Sequence, residues 1–131
     1  MGKTRVLLAD DHQTVLQRVC EVLADDFDVV GTVNNGRDAV VTALRLSPDV
    51  LVMDISMPIL NGLQAAQQLR AAKVKTKLVF LTVHTDCDFV NAALAAGASG
   101  YVTKSDLATD LIPAIQEALA GRVYISKSAV P

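Results

Sequence analysis

Cysteine, tryptophan and long apolar runs are scarce or absent in this sequence, and each scarcity excludes a class of protein. The two cysteines, Cys20 and Cys87, are far apart and outside any C-x-x-C spacing, which excludes a disulfide framework and a cysteine-based metal site. This cysteine usage fits a reducing compartment. The apolar stretch near the N-terminus is too short for a signal peptide, and no apolar run approaches the length of a membrane span. We therefore predict a cytoplasmic protein with no membrane contact.

Strong charge of either sign is also missing. The formal net charge is −2 and the isoelectric point is near 5.5, which argues against charge-driven binding of nucleic acid by this segment. Aromatic residues make up only 4% of the 131 residues and hydrophobic residues 51%, so we expect a core built from Val, Leu, Ile and Ala. A chain of this length suits one domain and buries roughly two-thirds of its unfolded surface.

Apolar segments of two kinds alternate along the chain. Short continuous apolar runs, typical of strands buried on both faces, are followed by longer segments whose apolar residues have helical spacing. This alternation predicts an α/β fold with a parallel sheet and helices on both of its faces. The predicted strands are 4–9, 27–33, 49–55, 77–83 and 100–103, and the predicted helices are 12–24, 37–46, 63–72, 88–96 and 107–120.

The last predicted helix contains Pro113, which a helix tolerates well only in its first turn. We therefore expect its regular part to begin, or to bend, near Thr109 or Asp110, and to end at Gly121. Residues 1–121 then form the domain. Residues 122–131 are mixed in character and are predicted to be a C-terminal tail or the start of a linker.

Polar residues that carry chemistry stand at the ends of four predicted strands. Asp10 and Asp11 follow the first strand, Asp54 ends the third, Thr82 lies in the fourth and Lys104 follows the fifth. Ligands of such sheets bind beyond the carboxyl ends of the strands, so we expect these side chains to converge. Taken singly, each has an ordinary explanation, since a strand-end carboxylate is often solvated or caps the next helix. The agreement of four strand ends on one chemistry favours a functional site.

Neighbouring carboxylates repel each other unless a cation stabilises them. Three close carboxylates form an oxygen-rich site suited to Mg²⁺, so we predict that Asp10, Asp11 and Asp54 hold this ion. A carboxylate can also act as a nucleophile and form an acyl phosphate. In this interpretation Asp54 accepts a phosphoryl group, and Lys104 and Thr82 stabilise the phosphoryl oxygens.

Four motifs together resemble the receiver domain of two-component response regulators. They are D-D at 10–11, M-D-I-S-M-P-I-L-N-G at 53–62, L-T at 81–82 and G-A-S-G-Y-V-T-K at 97–104. The resemblance covers roughly residues 4–126 and is similar to the NarL/FixJ branch, whose members usually carry a C-terminal LuxR-type helix-turn-helix. It implies a flavodoxin-like, doubly wound (βα)5 fold with a five-stranded parallel sheet in the order 2-1-3-4-5.

The resemblance also implies a role for each site residue. Asp54 would accept a phosphoryl group from the phosphohistidine of a sensor histidine kinase. Asp10 or Asp11, together with Asp54 and the backbone carbonyl of Ser56, would bind Mg²⁺. The chain would therefore not be a turnover enzyme: it would only phosphorylate itself from phosphodonors and dephosphorylate itself.

The family's switch residues match further positions. Lys104 and Thr82 would contact the phosphoryl group, and Tyr101 matches the switch aromatic that turns inward as Thr82 moves toward the phosphate. The face formed by the fourth helix, the fifth strand and the fifth helix would be the readout. Many receivers have a proline after the lysine, whereas Ser105 follows Lys104 here, which leaves the geometry of that loop open.

Ser56 and His84 lie two residues after Asp54 and Thr82, at positions that vary in the family. They are candidate modulators of the access of water to the acyl phosphate, although an exposed loop residue is an equally simple interpretation of His84. His12 follows the acidic pair and is interpreted as a first-turn helix residue.

On this resemblance the partners are a sensor histidine kinase, a second copy of the chain on phosphorylation, and DNA only through an output domain outside this sequence. Three alternatives stay open. A stand-alone receiver would act through protein contacts alone. A hydrolase of the haloacid dehalogenase type also uses aspartate, Mg²⁺, Thr and Lys, but it requires D-x-D, and Ser56 stands at the second position. A nucleotide or flavin binder needs a loop that cradles phosphate, and the first loop here is A-D-D-H.

Overall fold

The computed structural model describes residues 2–131, in which strands and helices alternate as the apolar pattern predicts. No helix in this range is both long enough and apolar enough to cross a membrane. The strands are β1 (Thr4–Ala9), β2 (Phe27–Val33), β3 (Val50–Met53), β4 (Lys77–Thr82), β5 (Gly100–Thr103) and β6 (Tyr124–Ile125). The helices are α1 (Gln13–Leu23), α2 (Gly36–Leu46), α3 (Gly62–Ala71), α4 (Cys87–Ala95) and α5 (Leu107–Leu119).

All the strands pair in parallel in one sheet of order β2-β1-β3-β4-β5-β6. The predicted order of the first five strands is confirmed, and β6 adds a short sixth strand outside β5. The chain runs from β1 out to β2 and then back across β1 to β3. This reversal makes the carboxyl ends of β1 and β3 the topological switch point, where ligands of such sheets bind.

Two apolar cores lie on opposite faces of the sheet. Side chains alternate between the faces of a strand, so Leu7 packs with α2, α3 and α4, whereas Val6 and Leu8 pack with α1 and α5. This double burial explains why the strands read as continuous apolar runs. A fully buried aliphatic side chain contributes on the order of 1.5–3 kcal/mol, so the two cores hold the strand ends in fixed positions.

The loop between β3 and α3 is held by backbone contacts and a helix cap. Asn61 accepts a hydrogen bond from the backbone N–H of Gln64 (2.8 Å), and the side chain of Gln64 accepts one from the backbone N–H of Asn61 (3.0 Å). The N–H of Gly62 donates to the carbonyl of Ile55 (2.7 Å). The loop therefore folds back tightly against the end of β3.

The C-terminal part differs from the sequence prediction in two respects. Helix α5 begins at Leu107, earlier than expected, after a 3-10 turn over Lys104–Asp106, and Pro113 lies inside the helix. The segment assigned to a tail or linker contributes β6 to the sheet, and Ser126 is buried. Both differences arise from contacts between parts of the chain that are distant in sequence.

Candidate functional site

Of the predicted strand-end residues, Asp10, Asp11, Asp54 and Lys104 converge at the carboxyl edge of the sheet. Asp10 and Asp54 are each only 3% exposed, and Asp11 is exposed. One ligand atom from each of Asp10, Asp11, His12 and Asp54 lies within 4.8 Å of the others. The parallel pairing of β1 with β3 brings these carboxylates together.

The ammonium group of Lys104 lies between two of these carboxylates. Its Nζ atom is 2.9 Å from Asp54 Oδ2 and 3.0 Å from Asp10 Oδ2, and its side chain is 14% exposed. Burial alone would lower the pKa of Lys104, but its hydrogen bond with Asp54, its ion pair with Asp10 and the charges of both carboxylates outweigh burial and raise it. Lys104 is therefore a fixed positive charge inside an acidic pocket.

The carboxylates retain capacity for a cation. Asp10 Oδ2 is buried and close to Lys104 but accepts no hydrogen bond from the described residues, so its nearest compensation is an ion pair without hydrogen-bond geometry. Asp54 Oδ1 accepts a hydrogen bond from the backbone N–H of Ile55 (2.7 Å). Three carboxylates face one ammonium here, and such an oxygen donor set fits a hard divalent cation.

His12 is a member of the site that the sequence analysis did not identify. Its Nδ1 atom is 3.1 Å from Asp10 Oδ1 and 3.1 Å from Asp11 Oδ1, and its backbone N–H donates to Asp10 Oδ1 (2.9 Å). His12 occupies the position just before α1 rather than its first turn. Its direct adjacency to the acidic pair was the signal that could have identified it.

Thr82 and Tyr101 both bond to the backbone of His84. The hydroxyl oxygen of buried Thr82 accepts a hydrogen bond from the N–H of His84 (3.4 Å). Tyr101 is fully buried, and its hydroxyl donates to the carbonyl of His84 (2.8 Å). Burial, with smaller contributions from the charges of Asp86 and Asp54, raises the pKa of Tyr101 to about 12. The ring therefore lies inward, attached to the loop that follows β4.

The predicted modulators Ser56 and His84 contact each other. Ser56 Oγ lies 2.9 Å from His84 Nε2, and the His84 ring stacks on that of Phe89, with centroids 4.0 Å apart. This contact joins the loop after β3 to the loop after β4. His84 is therefore half-buried in the loop after β4, with its ring in contact with Ser56 and Phe89, and its effect on the access of water stays a prediction.

Replacing Tyr101 with Phe (Tyr101→Phe) removes the hydroxyl and leaves the ring. We expect the free energy of unfolding to fall by about 1 kcal/mol at neutral pH, because one hydrogen bond is lost. The raised pKa makes wild type lose stability between pH 10 and about 12, where the unfolded tyrosine ionises first. Urea titrations across this range should show that loss reduced in the variant. An unchanged pH profile would contradict the role of the buried hydroxyl.

Comparisons with known proteins agree with this geometry. The family model described as the response regulator receiver domain matches residues 6–116. The response regulator GacA of Pseudomonas aeruginosa is 37% identical over 124 residues, which cover 93% of this chain and 58% of GacA. The nitrate/nitrite response regulator protein NarL of Escherichia coli is 34% identical over 128 residues, which cover 96% of this chain and 59% of NarL. The chain thus spans less than two-thirds of the length of these curated relatives.

Solved structures have the same fold. The signal receiver domain of a NarL response regulator from Mycobacterium tuberculosis aligns with a TM-score of 0.88 and 29% identity, covering 93% of this chain and 100% of that one. A LuxR-family two-component response regulator from Aurantimonas aligns with a TM-score of 0.90 and 31% identity, covering 96% and 91%. The family model covers most of the chain, and relatives more than 30% identical align along nearly all of it. The chain therefore belongs to the response regulator receiver domains, with NarL-type regulators among its relatives, as its motifs indicated.

Proposed function

We propose that this chain is a phosphoacceptor switch in which Asp54 receives a phosphoryl group from a sensor histidine kinase. The observation that carries the proposal is the contact of Lys104 Nζ with Asp54 Oδ2 and Asp10 Oδ2 at the topological switch point. A buried carboxylate beside a partly buried ammonium and further acidic groups has the composition that aspartyl phosphorylation requires.

The transfer would proceed by attack of a carboxylate oxygen of Asp54 on the phosphorus atom of the donor. The new O–P bond forms as the bond from phosphorus to the donor's nitrogen or oxygen breaks, and the leaving group takes the electron pair of that bond. Lys104, already within hydrogen-bond distance of Asp54, would stabilise the phosphoryl oxygens. The hydroxyl group of Thr82, whose oxygen accepts a hydrogen bond from the N–H of His84, would donate a hydrogen bond to the phosphoryl group.

Magnesium is the cofactor that we propose for this reaction. Asp10, Asp11 and Asp54, with the backbone carbonyl of Ser56, would hold the ion. When bound, it would offset the negative charge of the carboxylates and of the transferring phosphoryl group. The buried Oδ2 atom of Asp10, which accepts no hydrogen bond from the described residues, supports this assignment.

Phosphorylation would act through charge. The phosphoryl group of an acyl phosphate carries roughly −1.5 to −2 charges where the carboxylate carried −1, and this added charge beside Thr82 biases a two-state surface. Thr82 and Tyr101 both form hydrogen bonds with the backbone of His84. A movement of Thr82 toward the phosphoryl group would therefore displace His84, and with it the Tyr101 ring and Phe89 of α4. The readout would be the face formed by α4, β5 and α5, and a second copy of the chain would bind on phosphorylation.

Ser56 and His84 are proposed to limit the access of water to the acyl phosphate. Their side chains contact each other across the two loops that flank Asp54 and Thr82. In this position they would slow hydrolysis, so that the chain acts as a switch rather than as a turnover enzyme.

The relatives' names support a transcriptional output. They include GacA, NarL and the transcriptional regulatory protein DegU of Brevibacillus brevis. We propose that this chain works in the cytoplasm and controls transcription through a LuxR-type DNA-binding domain outside this sequence. The alternative is a receiver that signals only through protein contacts. The coding sequence after residue 131 distinguishes these two possibilities.

Incubation with Mg²⁺ and acetyl phosphate tests the phosphoacceptor role. We expect intact mass and Phos-tag mobility to show one added phosphoryl group on wild type and none on the Asp54→Asn variant. The matched control is Asp25→Asn, which alters an exposed carboxylate in the loop after α1 and should be labelled like wild type. An unmodified wild type, or a phosphoryl group mapped to another residue, would refute the proposal.

A further inference from the structure

The segment after α5 is bound to the sheet by its backbone. The N–H of Tyr124 donates to the carbonyl of Ser99 (3.0 Å), and the N–H of Ser126 donates to the carbonyl of Tyr101 (2.8 Å). The N–H of Ala129 donates to the carbonyl of Ser126 (3.0 Å), which closes a turn. We call residues 124–129 the docked tail.

Asp106 holds the docked tail from the side of α5. Its carboxylate is 6% exposed and accepts hydrogen bonds from Ser128 N–H (3.1 Å), Ser128 Oγ (3.1 Å) and Thr103 Oγ1 (3.0 Å). The N–H of Thr103 in turn donates to Ser126 Oγ (3.0 Å). Burial would raise the pKa of Asp106, but its bonds with Ser128, Thr103 and Ser126 outweigh burial and lower it. The carboxylate therefore stays ionised and fully bonded.

The same 3-10 turn carries Lys104 into the acidic pocket. Lys104 and Asp106 are its first and last residues, and the N–H of Leu107 closes it on the carbonyl of Lys104. One end of the turn contacts Asp54 and Asp10, and the other end contacts Ser128. Only one residue separates Lys104 from Asp106, so the two sets of contacts lie at the two ends of a single turn with about 2 Å of rise per residue.

We propose that the 3-10 turn over Lys104–Asp106 couples the acidic pocket to the docked tail, so that phosphorylation of Asp54 strengthens tail docking. The effect of phosphorylation on tail docking rests on the proposed function of Asp54. An added phosphoryl group holds the Lys104 ammonium more firmly, which restrains the turn and keeps Asp106 in place for Ser128. Coupling is reciprocal, so loss of the tail contacts must also loosen Lys104. In a longer chain, any segment after residue 131 is joined through this tail.

Hydrogen–deuterium exchange of the full chain tests the forward direction. We expect acetyl phosphate and Mg²⁺ to slow exchange in the peptide covering the docked tail at least about fivefold, the lower bound of ordinary coupling. The peptide covering β2, at the opposite edge of the sheet, should be unchanged. The intact mass of the same sample reports phosphorylation separately. Full phosphorylation with less than a twofold change in tail exchange would overturn the proposal.

Labelling of lysines tests the reverse direction without phosphorylation. Asp106→Asn and Ser128→Ala should each accelerate exchange of the docked tail and raise acetylation of Lys104 by an N-hydroxysuccinimide ester several-fold, measured against exposed Lys75. Asp25→Asn should change neither quantity. Ser128 is exposed, so we expect Ser128→Ala to fold. It therefore tests the coupling even if Asp106→Asn, which alters a buried residue, does not fold. Faster tail exchange with unchanged Lys104 labelling, or no change in tail exchange, would overturn the coupling even if Asp54 failed to accept phosphate.

Discussion

Replacement of Lys104 by Met (Lys104→Met) is expected to lower the free energy of unfolding by about 3 kcal/mol at neutral pH without divalent ions. The variant leaves Asp10 and Asp54, each 3% exposed, facing each other without the ammonium group between them. The loss lies at the lower end of the range for a broken buried pair because the Lys104 side chain is 14% exposed. Addition of Mg²⁺ should restore part of the loss, since a bound cation replaces the missing charge.

The pH dependence has a defined sign. The folded pKa of Lys104 is raised above its ordinary value of 10.5, so its contribution is complete below pH 10.5 and is lost as the pH rises through the folded value. Wild type and variant should therefore converge in stability at alkaline pH. The same substitution should slow phosphorylation by acetyl phosphate about 10²–10³-fold, the usual effect of removing one charge-stabilising donor.

Urea unfolding followed by circular dichroism measures the stability difference. Lys75→Met removes an exposed lysine of the loop before β4 and should change the free energy of unfolding by less than about 0.5 kcal/mol. Lys104→Arg keeps the positive charge and should fall between wild type and Lys104→Met. A Lys104→Met variant as stable as wild type in the absence of Mg²⁺ would show that the ammonium does not balance the pocket.

Gly62→Ala is the second substitution with a large expected effect. A Cβ atom at this position would lie 2.1 Å from the carbonyl oxygen of Asp54 and 2.9 Å from the Cα atom of Ile55. Both neighbours are backbone atoms, so the loop after β3 must shift to make room. We expect a loss of about 3 kcal/mol in the free energy of unfolding, the upper range for overpacking, together with a large decrease in phosphorylation of Asp54.

Two other glycines serve as graded controls. Gly2→Ala places its Cβ in open space and should be neutral. Gly121→Ala also meets no neighbour within 4 Å, but its φ of +81° makes the alanine backbone strained, so a loss of about 1 kcal/mol is expected. If Gly62→Ala were no more destabilising than Gly121→Ala, the close approach of α3 to Asp54 would be wrong. Thermal unfolding and Phos-tag mobility report both quantities on the same samples.

The sheet and most of the site follow from local patterns. Continuous apolar runs predict strands buried on both faces, and β1, β2 and β5 have the predicted bounds. One further rule was enough to predict that Asp10, Asp54 and Lys104 lie close together. The carboxyl ends of parallel strands lie at the same edge of the sheet. The prediction succeeded because the residues that carry chemistry sit directly at those strand ends.

The sequence by itself determined the alternation of elements, the two-sided burial of the strands and the edge at which the acidic residues gather, because each depends on neighbours within a few positions. Only the tertiary structure decided that His84 bonds Ser56, that α5 starts at Leu107, and that residues 124–125 form β6. These features depend on partners far away in the chain. The tail becomes a strand because Ser99 and Tyr101 offer it carbonyl groups and Asp106 binds Ser128, and no local pattern in a ten-residue segment encodes such partners.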